Sequence, residues 1–218
     1  MPLKQPLSAL AARVLGCLIE KEFATPDLYP LSLNALTNAC NQRSNRDPVV
    51  SASASEVEIA LDELRAGRLA TMFSGADSRV QKFKHRLEEV FDLSDVERAI
   101  LCELLVRGPQ TSAAVRSNSE RLFGMPSLAE VDALVSALSE WKNGPLVRKL
   151  PRLAGQKEAR WAQLLSGEPV AAEADVVVAP MTVAVTIPAE VEQRLQALET
   201  EVQQLRRELA ELRGALGE

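Results

Sequence analysis

The chain holds a single histidine, one tyrosine, two tryptophans and five phenylalanines among its 218 residues, and it lacks the short signatures that most often announce catalysis. There is no G-x-S-x-G turn to lift a nucleophilic serine, no H-E-x-x-H pair to hold zinc, and no Gly-rich loop that cradles phosphates. His85 sits in a basic stretch with no sequence-near nucleophile to serve, and Glu88 with Glu89 reads as solvated surface. The chain is therefore expected to be non-enzymatic, with no catalytic residue and no cofactor. Cysteine is scarce too. Cys17, Cys40 and Cys102 are odd in number, far apart and set among apolar helical residues. They read as reduced, buried thiols; no metal site is expected, because zinc ligands come in close C-x-x-C pairs and none occurs.

No run of eighteen apolar residues is present, and no apolar run follows a basic start. Neither membrane spanning nor export is expected, and the location is expected to be cytoplasmic. With 46% hydrophobic and 25% charged residues, the chain can bury one large core or two small ones. The net charge of −5 is uneven: residues 1–87 carry +2, residues 88–167 carry −1 and residues 168–218 carry −6. The acidity belongs to the tail, so the global balance neither supports nor excludes a nucleic-acid partner.

What is present is a repeat. "LSALAARVLGCLIE" from Leu7 matches "LSDVERAILCELLV" from Leu93, each opening on a serine that suits a helix N-cap. "SEVEIALDEL" from Ser55 matches "AEVDALVSAL" from Ala129, and each continues through glycine to a short strand, a loop and a second strand. A period near 80 residues fits a duplicated domain rather than a solenoid. Helix, helix, helix and hairpin is the winged-helix plan. The expected class is mainly α with small β-hairpins (α+β): tandem winged-helix domains at 1–87 and 88–166, with helices at about 8–23, 32–41, 54–66, 94–107, 111–119 and 127–141. Wings are expected at about 69–86 and 145–164.

Residues 167–188 read as a Pro/Ala/Val-rich linker. From 189 to 217, Val191, Leu195, Leu198, Val202, Leu205, Leu209, Leu212 and Leu216 are spaced alternately four and three apart, which predicts a C-terminal coiled-coil helix and a homodimer. With Leu195 at position a, Arg194 and Glu199, Glu201 and Arg206, and Glu208 and Arg213 meet with opposite signs in a parallel pair. An antiparallel pair opposes Glu201 to itself, and a single helix folding back on its own domain is the other alternative.

Between the second and third helices lies "NACNQRSNRDP", residues 38–48. Its amides suit helix ends and turns, and Asp47-Pro48 stops a helix. Arg43 and Arg46 stand where this motif approaches phosphates, or else each holds the loop by pairing with Asp47 or Asp27. The wings add Arg79, Lys82, Lys84 and Arg86 in the first copy, and Arg148, Lys149, Arg152, Lys157 and Arg160 in the second. Strand alternation places Lys82, Lys84 and Arg86 on one face and Phe83 in the core, with Trp161 in the equivalent place. These cations either grip phosphate or guard solvated strand edges. The third helices point the other way, since Glu56, Glu58, Asp62 and Glu63, and Glu130, Asp132 and Glu140, set carboxylates where a groove-reading helix would meet a polyanion.

The runs "AARVLGCLIEKEFATPDLYPLSLNALTNACNQRSNRDPV", "RGPQTSAAVRSNSERL" and "GQKEARWAQLL" resemble the YceH family of uncharacterised bacterial proteins over about residues 7–165. The resemblance implies a tandem winged-helix fold and a DNA-binding or regulatory role, with no catalytic activity. The expected function is therefore that of a DNA-binding or transcription-associated protein, with phosphate contacts from Arg43, Arg46 and the wings. The alternative is a protein-interaction adaptor, similar in layout to the tandem winged-helix subunit ScpB of chromosome-condensing complexes.

Overall fold

The computed structural model describes residues 3, 5–73, 80–152, 155–169 and 204. Six of its helices begin on a hydroxyl: Ser8, Ser32, Ser53, Ser94, Thr111 and Ser127 each accept a hydrogen bond from a first-turn amide. Ser53, Ser94 and Ser127 are answered by Glu56, Glu97 and Glu130 in reciprocal capping boxes. In the first half these caps start α1 (Ala9–Ala24), α2 (Leu33–Cys40) and α3 (Ala54–Ala66). In the second half, after the short α4 (Leu87–Val90), they start α5 (Asp95–Arg107), α6 (Ser112–Ser119) and α7 (Leu128–Ser139).

Each helical trio is followed by an antiparallel hairpin. In the first half β1 (Leu31–Ser32), β2 (Ala70–Phe73) and β3 (Lys82–His85) form a three-stranded sheet in the order β1-β3-β2. Leu31 lies opposite Phe83, and Ala70 opposite His85. In the second half β4 (Val147–Lys149) pairs with β5 (Trp161–Gln163), setting Lys149 opposite Trp161. The residue before α6 repeats the part of β1, since Gln110 and Trp161 exchange backbone hydrogen bonds of 3.0 and 2.7 Å. Among the described residues the fold is α+β, with seven α-helices and two small antiparallel sheets.

The two halves share a core. Residues 11–20 of α1 and 99–106 of α5 are buried without a break, which explains why neither helix shows a clear polar face. Gly16 of α1 packs tightly against α5: a Cβ there would lie 2.7 Å from Val106 Cγ1 and 2.9 Å from Leu105 Cβ. The Cys102 thiol donates to the Gly16 carbonyl at 3.3 Å, and all three cysteines are free and buried. Residues 1–174 make one compact unit, and 175–218 a second. The expected linker beyond residue 169 and all eight heptad positions, Val191 to Leu216, lie outside the described residues. No helix among the described residues is long and apolar enough to cross a membrane.

Candidate functional site

The polar run from Asn38 to Pro48 folds inward. Asn41 caps α2, and its side-chain amide meets the Ala52 backbone from both sides, donating from Nδ2 and accepting at Oδ1, each at 2.8 Å. Asn45 turns the chain at φ 58°, a left-handed conformation that asparagine tolerates. That reversal sends Arg46 under the turn. Its Nη1 donates to Glu20 Oε2 at 2.6 Å and to the Asn45 carbonyl at 2.7 Å. Its Nε and Nη2 donate to the Ala39 carbonyl at 3.0 and 2.9 Å, and Nη2 also reaches Gln42 Oε1 at 3.0 Å. The side chain is 0% exposed. Arg46 is therefore not a phosphate contact, correcting the expectation drawn from its position. Its carboxylate partner is Glu20 of α1 rather than Asp47 or Asp27.

The turn also joins the halves. The Asp47 amide donates to the Val106 carbonyl at 3.0 Å, and Arg107 donates to Asn45 Oδ1. Beneath this joint Arg121 reaches Glu103 Oε1 at 2.5 Å and Glu20 Oε1 at 3.5 Å, while Arg107 Nε lies 3.1 Å from Glu103 Oε2. Arg13 donates to the Pro48 carbonyl at 2.8 Å. Burial resists the charge of both carboxylates, with opposite net results. At Glu20 the charge and hydrogen bond of Arg46, helped by Arg121, win and hold its carboxyl below the usual range. At Glu103 burial wins over Arg121 and Arg107 and pushes the carboxyl up. The sequence carried a signal for this network: Glu20 and Glu103 are acids inside apolar helical runs, where an unpaired charge is not tolerated.

The other candidate cations are dispersed. Arg43 is exposed and, among the described residues, makes no ion pair. Lys82 and Lys84 alternate with buried Phe83 and His85 on β3 as the period-two pattern requires, but β3 is the central strand and both lysines are half-buried rather than edge guards. Arg86 pairs with Glu89, and Arg148 with Glu168. Lys149 lies over the Trp161 ring, 5.2 Å from its centroid. Arg152 donates to the Lys157 carbonyl at 3.4 Å, Lys157 is exposed, and Arg79 lies outside the described residues. Phe83 and Trp161 are both core residues; the Trp161 indole donates to Ser112 Oγ at 3.0 Å, so neither ring is offered to a base.

His85 keeps acidic rather than basic company. Leu87 N donates to its Nδ1 at 3.2 Å, which leaves Nε2 to donate to Glu22 Oε2 at 2.8 Å. Glu88 stands 3.2 Å from Nδ1, and Arg98 holds Glu22 at 2.9 Å. With its side chain enclosed, His85 faces Glu22 and Glu88 instead of solvent, and it is Glu22 that Arg98 of α5 reaches.

These features define an α+β chain of two similar halves on a shared core, joined by buried charge. The chain belongs to the family described as "Protein of unknown function, DUF480", whose model matches residues 7–156. It is 47% identical over 196 residues to a UPF0502 protein of Geotalea uraniireducens, covering 90% of this chain and 88% of that one. A UPF0502 protein of Vibrio parahaemolyticus is 46% identical over 215 residues, with 97% and 96% covered. One from Citrifermentans bemidjiense is 51% identical over 163 residues, 75% of each chain. This is the YceH-type family that the quoted runs resemble.

Proposed function

We infer that the chain is a non-enzymatic, tandem winged-helix adaptor that binds another protein through the outer faces of α3 and α7. The observation that carries this reading is the chemistry of those two faces. α3 exposes Glu56, Glu58 and Asp62 around Ile59, which is 69% exposed, and its Arg65 is paired with Asp62. α7 exposes Asp132 one turn from Leu128, which is 47% exposed, as well as Glu130, and carries no basic side chain. A polyanion is repelled by such faces, whereas an apolar side chain ringed by acids suits a protein surface of opposite charge. The enclosed His85 and buried cysteines argue against general acid/base or nucleophilic chemistry. The heptads of 189–217 keep self-pairing as a sequence-based part of the proposal.

DNA binding is the second reading, favoured by exposed Arg43, Arg152 and Lys157. The test is a fluorescence-anisotropy titration of the full-length protein against mixed-sequence duplex DNA at several salt concentrations, beside photo-crosslinking in cells from a reactive residue placed at Ile59. The adaptor reading expects no salt-sensitive DNA binding and a discrete protein adduct that Leu128→Asp weakens. Salt-sensitive binding near micromolar, with no adduct, overturns it.

A further inference from the structure

Where the two halves meet, a polar cleft of about 430 Å³ opens between the Asn45–Asp47 turn and the start of α6. That volume is within the range of small-molecule sites. We propose that this cleft is a binding site for a small phosphate-bearing anion, seated by Arg107 and Arg160. Arg107 is held in place from two sides, by Glu103 and by Asn45 Oδ1, so its fork is pre-ordered, and it keeps partial solvent access. Arg160 is exposed and, among the described residues, its guanidinium has no hydrogen-bond or ion-pair partner. Two guanidiniums from different elements facing one concavity suit the several oxygens of a phosphate better than a single cation does.

The remaining walls are ordered polar groups. Gln110 is buried, donates to the Glu103 carbonyl at 3.1 Å and accepts from Asn118 at 2.7 Å. Thr111 caps α6, an eight-residue helix whose first-turn amides add positive potential on the same side. Gly108 makes the shape: at φ 67° and ψ −155°, a region that only glycine occupies readily, it ends α5 and turns Pro109 and Gln110 onto the wall. One lining residue is acidic: Asp47 is exposed at the cleft, where it can accept from a hydroxyl or amine carried on the ligand beside its phosphate.

The proposal does not depend on the adaptor reading, and its test reads a different event. Full-length protein is titrated with inorganic phosphate and with adenosine monophosphate by heteronuclear NMR, with thermal unfolding followed in parallel. Saturable shifts confined to residues 45–47, 107–118 and 160, and a melting temperature rising with ligand, are expected. Arg160→Ala should weaken binding about tenfold or more, since it removes a charged hydrogen-bonding partner, while the ligand-free melting temperature stays put. Arg148→Ala, in the second wing and already paired with Glu168, serves as the control and should leave binding unchanged. No saturable binding, or equal losses in Arg160→Ala and Arg148→Ala, overturns the site. Displacement of bound phosphate by duplex DNA through the same residues would assign the cleft to nucleic acid instead and equally overturn it.

Discussion

Arg46 Nη1 donates to Glu20 Oε2 at 2.6 Å beneath the first turn, and neither side chain has meaningful access to water. A buried pair of this kind is weak evidence of net stabilisation, but removing one partner strands the other charge. Glu20→Leu and Arg46→Met should therefore each lower unfolding free energy by about 3–5 kcal/mol. The double variant Glu20→Leu/Arg46→Met should lose much less than the sum. Urea denaturation of the four proteins closes the cycle, and simple additivity would mean that the two side chains do not act as a pair.

The opposite displacements of Glu20 and Glu103 make a pH prediction with two signs. Glu20 is depressed by the Arg46 charge and hydrogen bond acting against burial, so the unfolded chain binds its proton more readily. Its stabilising contribution is complete above the unfolded value of about 4.3 and is lost as pH falls through the lower folded value. Glu103 is raised by burial, so the folded chain holds its proton longer, and stability is lost as pH rises from about 4.3 through the higher folded value. The stability difference between wild type and Glu20→Gln should thus shrink on acidification. That between wild type and Glu103→Gln should move in the wild type's favour. Unfolding curves across this range check both, and parallel pH profiles for the two variants would contradict the assignment.

Gly16 offers a packing test free of charge. A methyl group there would press on Val106 Cγ1 at 2.7 Å and Leu105 Cβ at 2.9 Å, inside the helix crossing that unites the halves. Gly16→Ala should cost about 1–3 kcal/mol despite the gain in helix propensity. At Gly124 nothing lies within 4 Å of an added Cβ. Gly124→Ala should fall within about 0.5 kcal/mol of wild type. Chemical denaturation of the two variants side by side is sufficient.

Much of this architecture was legible in the sequence because its signals are local. Serine caps and the apolar periods of the two repeats placed the six main helices within about two residues, and period-two alternation turned Phe83 inward. The arrangement across the repeat was not legible in the same way. β1 is two residues long, and its pairing joins Leu31 to the distant Phe83, so β3 read as a possible edge when it is central. Arg46 was misplaced for a related reason. Sequence shows a basic turn, but only the αL bend at Asn45 and the partner Glu20, on another helix, reveal that the guanidinium points inward. The arginines of the cleft were missed as a pair because Arg107 and Arg160 belong to different elements.

Arg43 and Arg46, three residues apart, should therefore behave as unrelated residues. Arg43 is exposed with no ion pair among the described residues, so Arg43→Ala should change stability by no more than about 0.5 kcal/mol. Arg46→Ala should destabilise the fold on the scale of a broken buried pair. Their effects on DNA separate the two functional readings. If duplex DNA binds through the first turn, Arg43→Ala should flatten the salt slope of log K by about 0.9, one phosphate contact, while Arg46→Ala leaves that slope alone under conditions where it stays folded. The adaptor reading expects no such slope in the wild type to begin with. A slope that Arg46→Ala flattens in the folded protein would mean that the guanidinium leaves Glu20 to reach DNA, against the buried pair seen here.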